Sequence, residues 1–256
     1  MIGGYLEYYF GYIWILIPGL ILGFWAQIKV QGTYAKYSRV QNKRGITGEQ
    51  TAKHILNAYG IDIPVERING KLTDHYDPRA KVLRLSSGVY NGTDVAALGI
   101  AAHEVGHAIQ HDRGYTPLTL RNGFYPLCAL GDQFGPFLVL IGIMIGGAGS
   151  FSETIMMIGI ILFSFAVFFS LITLPVEFDA SNRAIKILDK GGFLDAEELN
   201  GAKKVLRAAA LTYVAAAVTS VLSLVRLILL ANRRRDQTLK LKIILKRLIF
   251  VSLFLF

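Results

Sequence analysis

Cysteine is almost absent from this chain, since Cys128 is the single one among 256 residues. A lone cysteine excludes an intramolecular disulfide, and it excludes a zinc site built from several thiolates. We interpret Cys128 as a small apolar residue that fills space. The chemistry of the chain must therefore rest on other side chains.

Two further absences narrow the class of protein. Basic residues give a net charge of +9, but no basic surface interleaved with aromatic residues is present, which argues against nucleic acid as a partner. No lysine or arginine precedes the first apolar run, which has Glu7 at its start. The run is also longer than the roughly 7–15 residues of a signal-peptide core, so we expect an uncleaved membrane anchor.

Apolar segments, by contrast, are abundant. The hydrophobic share is 53% and the mean hydropathy is +0.44, both high for a soluble domain. Four segments are long enough to cross about 30 Å of hydrocarbon as helices. We predict transmembrane helices at residues 5–26, 127–151 and 154–176, and an apolar helix at residues 208–231 whose crossing of the membrane stays open.

The distribution of basic residues predicts the orientation. Lys29 and Lys36 follow the first apolar segment, so the positive-inside rule places residue 27 onward in the cytoplasm. The second and third segments then cross out and back, which returns Arg183 to the cytoplasmic side. A fourth crossing would carry the arginine run 233–235 outside, against the rule.

The segment His103-Glu104-Val105-Gly106-His107 is the strongest chemical signal. Histidines four residues apart on a helix project from one face and can bind one metal ion. The glutamate between them can accept a proton from a water that the metal activates. An N-cap at Thr93-Asp94 and helical apolar spacing predict a helix over residues 93–112. The pattern predicts a metalloprotease.

A third protein ligand must come from elsewhere, because catalytic zinc usually takes three. His111 lies about 12 Å from the first histidine along the helix axis, which is too far, and Arg113 stands where metzincins have their third histidine. Glu177 is favoured, because it leaves the third apolar segment on the histidine side and a carboxylate so near hydrocarbon is costly unless paired or metal-bound. Asp179 is the competitor, and its other role would be to orient a histidine or an arginine.

The segment before the histidine helix predicts a small sheet. Residues 65–68, 72–76 and 81–85 are typical of short strands separated by turns. We predict that an extended substrate adds to the edge formed by Lys81, Val82, Leu83, Arg84 and Leu85. The side chains that could polarise the scissile carbonyl or stabilise the oxyanion by their type are His75, Tyr76, Tyr90 and Arg183.

Several stretches resemble the bacterial membrane-bound neutral zinc metallopeptidases of the YugP-like type. The matching stretches are residues 73–79, 83–86, 89–90, 101–111 and 174–181. The resemblance implies a zinc peptidase with His103, His107 and a later glutamate as ligands and Glu104 as the base.

A more distant likeness is to gluzincins such as the HtpX and CAAX-prenyl membrane proteases. In those proteins an aspartate four residues after the ligand glutamate hydrogen-bonds a zinc histidine. Glu177 matches the ligand position, but Ser181 stands where the aspartate would be. The orienting role then falls to Asp179 or to the serine hydroxyl.

The predicted fold is a mainly α membrane protein with three to four transmembrane helices and a small α+β gluzincin-like catalytic domain. The predicted function is a zinc-dependent endopeptidase that binds one Zn²⁺ and hydrolyses protein or peptide substrates, membrane proteins among them, at the cytoplasmic face of a bacterial plasma membrane. Besides the helices given above, the predicted parts are a cytoplasmic metallopeptidase domain at residues 27–123, a polar helical segment with the third ligand at 177–207 and a basic and apolar tail at 232–256.

Two alternatives stay open. A site-2-type intramembrane protease would bury the motif in a spanning helix and use an aspartate from an Asp-Gly element, but Lys190 interrupts the related stretch here. A non-catalytic metal-binding membrane scaffold would have no need of Glu104 and would close the fourth metal position with another ligand.

Overall fold

The protein is described by a computed structural model over residues 10–145 and 150–254, with side chains for residues 10–145 and 151–233. Residues 5–9 of the first predicted helix, residues 146–149 of the second and the side chains of the predicted tail from residue 234 lie outside this description.

Within these ranges the chain is mainly helical, with one small sheet. After a 3₁₀ turn at Ile13–Leu16 the elements are α1 (Ile17–Tyr37), α2 (Gly48–Tyr59), β1 (Val65–Ile68), β2 (His75–Asp77), β3 (Val82–Ser86), α3 (Ser87–Tyr90), α4 (Val95–Asp112), α5 (Thr116–Ile145), α6 (Ser150–Lys190) and α7 (Ala196–Phe254).

Among the described residues, four helical segments are long and apolar enough to cross a membrane. They are Ile13–Tyr37, Thr116–Ile145, Phe151–Lys190 and Ala196–Arg233. The predicted fold class, a mainly α membrane protein with a small α+β part, is therefore confirmed.

The helices extend beyond the predicted segments: α1 runs to Tyr37 instead of residue 26, and α5 starts at Thr116 instead of residue 127. The predicted polar segment 177–207 is divided between α6, which runs through to Lys190, and α7, which starts at Ala196. Gly192 lies in the left-handed region at φ 61° in the turn between them, a conformation that ends a helix and that glycine adopts without strain. The backbone of the predicted tail continues α7 as helix to Phe254.

The chain forms two compact units, each assembled from separate parts of the sequence. The helical unit comprises the residues up to Ile21, Phe124–Ser170 and the residues from Ala217 onward, and the mixed unit comprises Leu22–Gly123 and Leu171–Ala216.

Glycines let α5 and α6 pack closely in the helical unit. A Cβ at Gly131 would lie 2.0 Å from the carbonyl oxygen of Leu162, and one at Gly135 would lie 2.7 Å from the Cβ of Phe163. Small residues four apart allow two helix backbones to approach in this way, which is a common means of helix association in membranes.

The mixed unit has its own apolar core. Leu83, Leu85, Leu98 and Val105 are fully buried in it, together with parts of α2, α6 and α7. The capping box of Thr47 and Gln50 fixes the residue at which α2 begins.

The sheet has the order β1-β3-β2, with β1 parallel and β2 antiparallel to β3. The prediction that Lys81, Val82, Leu83, Arg84 and Leu85 offer an open strand edge is wrong, because β3 is hydrogen-bonded on both sides. Its residues Val82, Leu83 and Leu85 are at most 3% exposed, and a strand buried on both faces is typical of a sheet centre. The free edge nearer to α4 belongs to β2 instead.

Candidate metal centre

The helix that carries both histidines has a defined start. The carboxylate of Asp94 accepts a hydrogen bond from the N–H of Ala97 at 2.9 Å, so Asp94 is the N-cap of α4. Nine residues after this cap comes His103, and His107 follows one turn later with the two rings 4.8 Å apart and nearly perpendicular. Both rings therefore leave the same face of α4.

Glu177 of α6 faces the two rings. Its Oε2 lies 3.3 Å from Nε2 of His103 and 3.6 Å from Nε2 of His107. The possible ligand atoms of all three residues lie within 4.8 Å of one another. The structure thus brings together the three residues that the sequence analysis favoured as metal ligands.

The donor set fits a zinc ion. Zinc bonds of about 2.0–2.2 Å in a tetrahedral arrangement place neighbouring donor atoms about 3.3–3.6 Å apart, and two histidines with one glutamate form a known catalytic zinc set. Oε2 of Glu177 is buried, and no side chain or backbone group in the part of the chain that the structure describes forms a hydrogen bond with it. A buried carboxylate oxygen without a partner is costly, and a cation between it and the imidazoles would remove that cost.

A close helix contact holds Glu177 in this place. A Cβ at Gly106 would lie 2.8 Å from the carbonyl oxygen of Ala180, so α4 and α6 approach each other at a position where only glycine fits. Gly106 precedes His107 and Ala180 lies in the turn after Glu177. The contact therefore sets the distance between the helix of the histidines and the helix of the carboxylate.

Ser181 orients the first histidine. Its hydroxyl lies 3.1 Å from Nδ1 of His103, the ring nitrogen that points away from Glu177. From the sequence, this role was open between Ser181 and Asp179. In the structure, it is the serine that contacts His103.

Gln110 orients the second histidine. This residue is not among those predicted from the sequence. Its Oε1 lies 3.0 Å from Nδ1 of His107, and its amide nitrogen donates to the carbonyl oxygen of Val176 and to the carboxylate of Asp179, both at 2.8 Å. Asp179 also accepts from Nε of Arg183 at 2.5 Å. Asp179 thus reaches His107 through an amide. Gln110 lies one turn after His107, and this spacing was the available signal.

Two further side chains contact Glu177 and were also missed. Nη1 of Arg121 lies 3.2 Å from its Oε1, on the side away from the histidines, and Tyr213 of α7 lies beside the same carboxylate. An arginine that binds one oxygen leaves the other oxygen directed at the imidazoles. No spacing rule connects positions so distant in sequence.

Glu104 is held by the sheet. The backbone N–H of Tyr76 in β2 donates to its Oε2 at 3.1 Å. Glu104 therefore has one carboxylate oxygen engaged by the edge strand, beside the two histidines that flank it in the sequence.

The electrostatic potential at the histidines is negative. Burial alone would lower the pKa of His107, but the carboxylates of Glu177 and Glu104 outweigh it and raise this pKa. Burial also raises the pKa of Asp74 against the opposing effect of its hydrogen bonds from Ser86, and the charge of Glu104 adds to the rise. A site of this kind favours a cation.

The other predicted site residues, His75, Tyr90 and Arg183, contact residues other than the three possible metal ligands. His75 is exposed and its Nδ1 donates to the carbonyl oxygen of Thr73 at 2.8 Å. The hydroxyl of Tyr90 donates to Glu49 of α2 at 3.5 Å. Arg183 binds Asp179 and lies 5.9 Å from the centre of the Tyr115 ring. Their predicted role at a scissile carbonyl has no support from these contacts.

The fold and the site together define a class, that of membrane proteins in which two histidines and a glutamate could hold one metal ion. The chain belongs to the family described as "Putative neutral zinc metallopeptidase", whose model matches residues 12–232. It is also 48% identical over 227 residues to a protein of Bacillus subtilis (strain 168) named "Putative membrane protease YugP", covering 88% of this chain and 99% of that protein. No solved structure matches the chain significantly. The resemblance to the YugP-like family is confirmed.

Proposed function

We propose that this protein is a zinc endopeptidase in which His103, His107 and Glu177 bind one Zn²⁺ and Glu104 is the general base. The observation that carries the proposal is the position of Oε2 of Glu177, which is buried, unpartnered and 3.3 and 3.6 Å from the two imidazole nitrogens. The family supports a metallopeptidase, and the donor set supports zinc.

When bound, the zinc ion would lower the pKa of a water and polarise the carbonyl of a peptide bond. Glu104 would take the proton of that water and later return it to the leaving amine. The bond from the N–H of Tyr76 holds Oε2 of Glu104, so Oε1 is the oxygen that receives the proton. The contacts of Ser181 and Gln110 keep the two Nε2 atoms turned towards the carboxylate.

The catalytic part is the mixed unit, because it contains Leu22–Gly123 and Leu171–Ala216 and therefore every residue of this set. We place it on the cytoplasmic side, on the strength of the basic residues that follow α1. Its substrates would be proteins or peptides, membrane proteins among them.

The decisive experiment compares two glutamate variants with the wild type. Glu104→Gln should bind zinc as the wild type does and lose cleavage of an unfolded protein such as casein by at least about a hundredfold, the usual contribution of a general base. Glu177→Gln should lose both zinc and cleavage. Zinc content by atomic emission and cleavage by gel are measured on purified protein in detergent.

Glu66→Gln is the matched control, because Glu66 lies on the exposed face of β1 and binds Arg84 at 3.3 Å. It should keep zinc and cleavage. Undiminished cleavage by purified Glu104→Gln would refute the assigned base, and full zinc content in Glu177→Gln would refute the assigned ligand.

A further inference from the structure

A cavity of about 1050 Å³ lies in the mixed unit between α1, α6 and α7. We call it the basic groove. Its walls are apolar where Trp25 and Ile28 of α1 face Phe178 of α6 and Leu211 and Val214 of α7. Trp25 is 50% exposed and Ile28 57% exposed, so these walls are open to an apolar occupant.

The rest of the lining is strongly cationic. The basic side chains that line it are Lys29, Lys36, Lys203, Lys204 and Arg207. No acidic residue lines the groove, and among the residues that the structure describes none of these five cations forms an ion pair. Five cations around one cavity repel each other and attract an anion.

The charged and apolar parts are separated along the helices. On α1 the apolar Trp25 precedes Lys36 by eleven residues, and on α7 Lys203 precedes the apolar Val214 by eleven residues, about 16 Å in each case. A Cβ at Gly201 would lie 2.7 Å from the ring of Tyr37, so the end of α1 meets the start of α7. Lys36 of α1 and the cations of α7 therefore lie at the same end of the groove, whereas Lys29 follows the apolar Ile28 directly and is about 10 Å from Lys36 along α1.

We propose that the basic groove binds an anionic phospholipid, with the phosphate among Lys36, Lys203, Lys204 and Arg207 and an acyl chain along the apolar walls. The cations select a negative headgroup, the apolar walls distinguish a lipid from free phosphate, and α1, α6 and α7 all belong to candidate membrane spans. Ser181 lines the groove and also contacts His103, so the bound lipid lies one side chain away from the metal ligands.

The test measures lipids retained by the full-length protein, purified in a mild detergent, by native mass spectrometry. The probes are dioleoyl phosphatidylglycerol, dioleoyl phosphatidylcholine and inorganic phosphate. The wild type should retain phosphatidylglycerol selectively. Lys203→Gln/Lys204→Gln/Arg207→Gln should weaken this binding by about a hundredfold, at about fivefold for each lost charge.

A second variant fills the groove and leaves the charge unchanged. A Cβ at Gly32 meets nothing within 4 Å, and Gly32 lines the groove between Lys29 and Lys36, so Gly32→Leu should fold and exclude the lipid. Gly23→Leu is its control, because Gly23 has the same open surroundings on α1 outside the groove lining. Arg67→Gln/Arg79→Gln/Lys81→Gln is the control for charge, since these residues are exposed on the sheet side.

Each other outcome would overturn the proposal. Equal retention of phosphatidylglycerol by Gly32→Leu and by the wild type would show that the lipid binds elsewhere. An equal loss in both triple variants would show a general effect of charge. Binding of inorganic phosphate that competes fully with the lipid would show an anion site without a place for the acyl chain, and a co-purified peptide in the groove would identify a different occupant.

Discussion

At the scale of the residue, the two histidines differ in what holds them. Nδ1 of His103 contacts the hydroxyl of Ser181, whereas Nδ1 of His107 contacts the amide of Gln110. Neither ring is bonded directly to a carboxylate at Nδ1. The charge of Asp179 reaches His107 only through the amide of Gln110, so the groups that orient both imidazoles at Nδ1 are neutral.

The serine contact can be tested through metal affinity. Ser181→Ala removes the hydroxyl that orients His103, and we expect zinc affinity to fall by about 10- to 100-fold, as is usual when a partner of a metal-binding histidine is lost. Affinity is measured by competition with a chromophoric chelator. Ser181→Thr keeps a hydroxyl and should bind zinc nearly as the wild type does, so equal affinity in all three proteins would contradict the orienting role.

At the scale of the element, the site depends on how closely α4 and α6 pack. Gly106 lies against the backbone of Ala180, with distances of 2.8 and 3.2 Å from a hypothetical Cβ to its carbonyl oxygen and Cα. The neighbouring atoms belong to backbone, which cannot move aside as a side chain could. Gly106 takes no part in metal binding or proton transfer, yet its close contact controls the geometry of the motif residues that do.

We predict that Gly106→Ala destabilises the protein by about 1–3 kcal/mol, the usual cost of overpacking, and weakens zinc binding because α6 must move away with Glu177. Thermal unfolding and zinc titration measure the two effects. Gly99→Ala on the same helix is the control, since its nearest contact would be an ordinary 3.4 Å to the Cβ of Ala202, and it should be neutral or stabilising. Similar behaviour of the two variants would refute the close-packing argument.

How far the sequence could predict the site depends on whether the residues involved lie in one helix or in several. His103, Glu104 and His107 follow from helical spacing within one element, and Glu177 follows from its type and its place after an apolar segment. Arg121 and Tyr213 could not be assigned, because their roles exist only where separate helices meet, whereas the spacing of Gln110 from His107 within one helix was a signal. The same limit applies to the sheet: local patterns indicated its strands, but the central place of β3 depends on pairing with β1, a contact distant in sequence.

At the scale of the whole molecule, the open question from the sequence is whether the last apolar helix crosses the membrane. In the helical unit the guanidinium of Arg233 lies 6.0 Å from the centre of the Tyr12 ring. Tyr12 directly precedes the first candidate span and Arg233 ends the fourth. The start of the first candidate span and the end of the fourth are therefore at the same end of this unit, as four crossings would require.

Four crossings put Arg233 on the side opposite to the catalytic residues, against the positive-inside rule. Basic residues late in a chain can fail to reverse an orientation that earlier segments have set. In this chain Lys29 and Lys36 follow the first span directly, and Arg233 comes only after three further candidate spans. We therefore expect the early lysines to determine the orientation.

Labelling of single cysteines would show which side of the membrane the catalytic unit faces and whether α7 crosses. In a Cys128→Ala background, Glu153→Cys and Asn232→Cys should react with a membrane-impermeant maleimide on intact cells, whereas Arg79→Cys should react only after permeabilisation. All three positions are exposed in the structure. Reaction of Arg79→Cys on intact cells would reverse the proposed orientation of the catalytic unit. Protection of Asn232→Cys together with reaction of Glu153→Cys would mean that α7 turns back without crossing, because its far end would then share the side of the histidines.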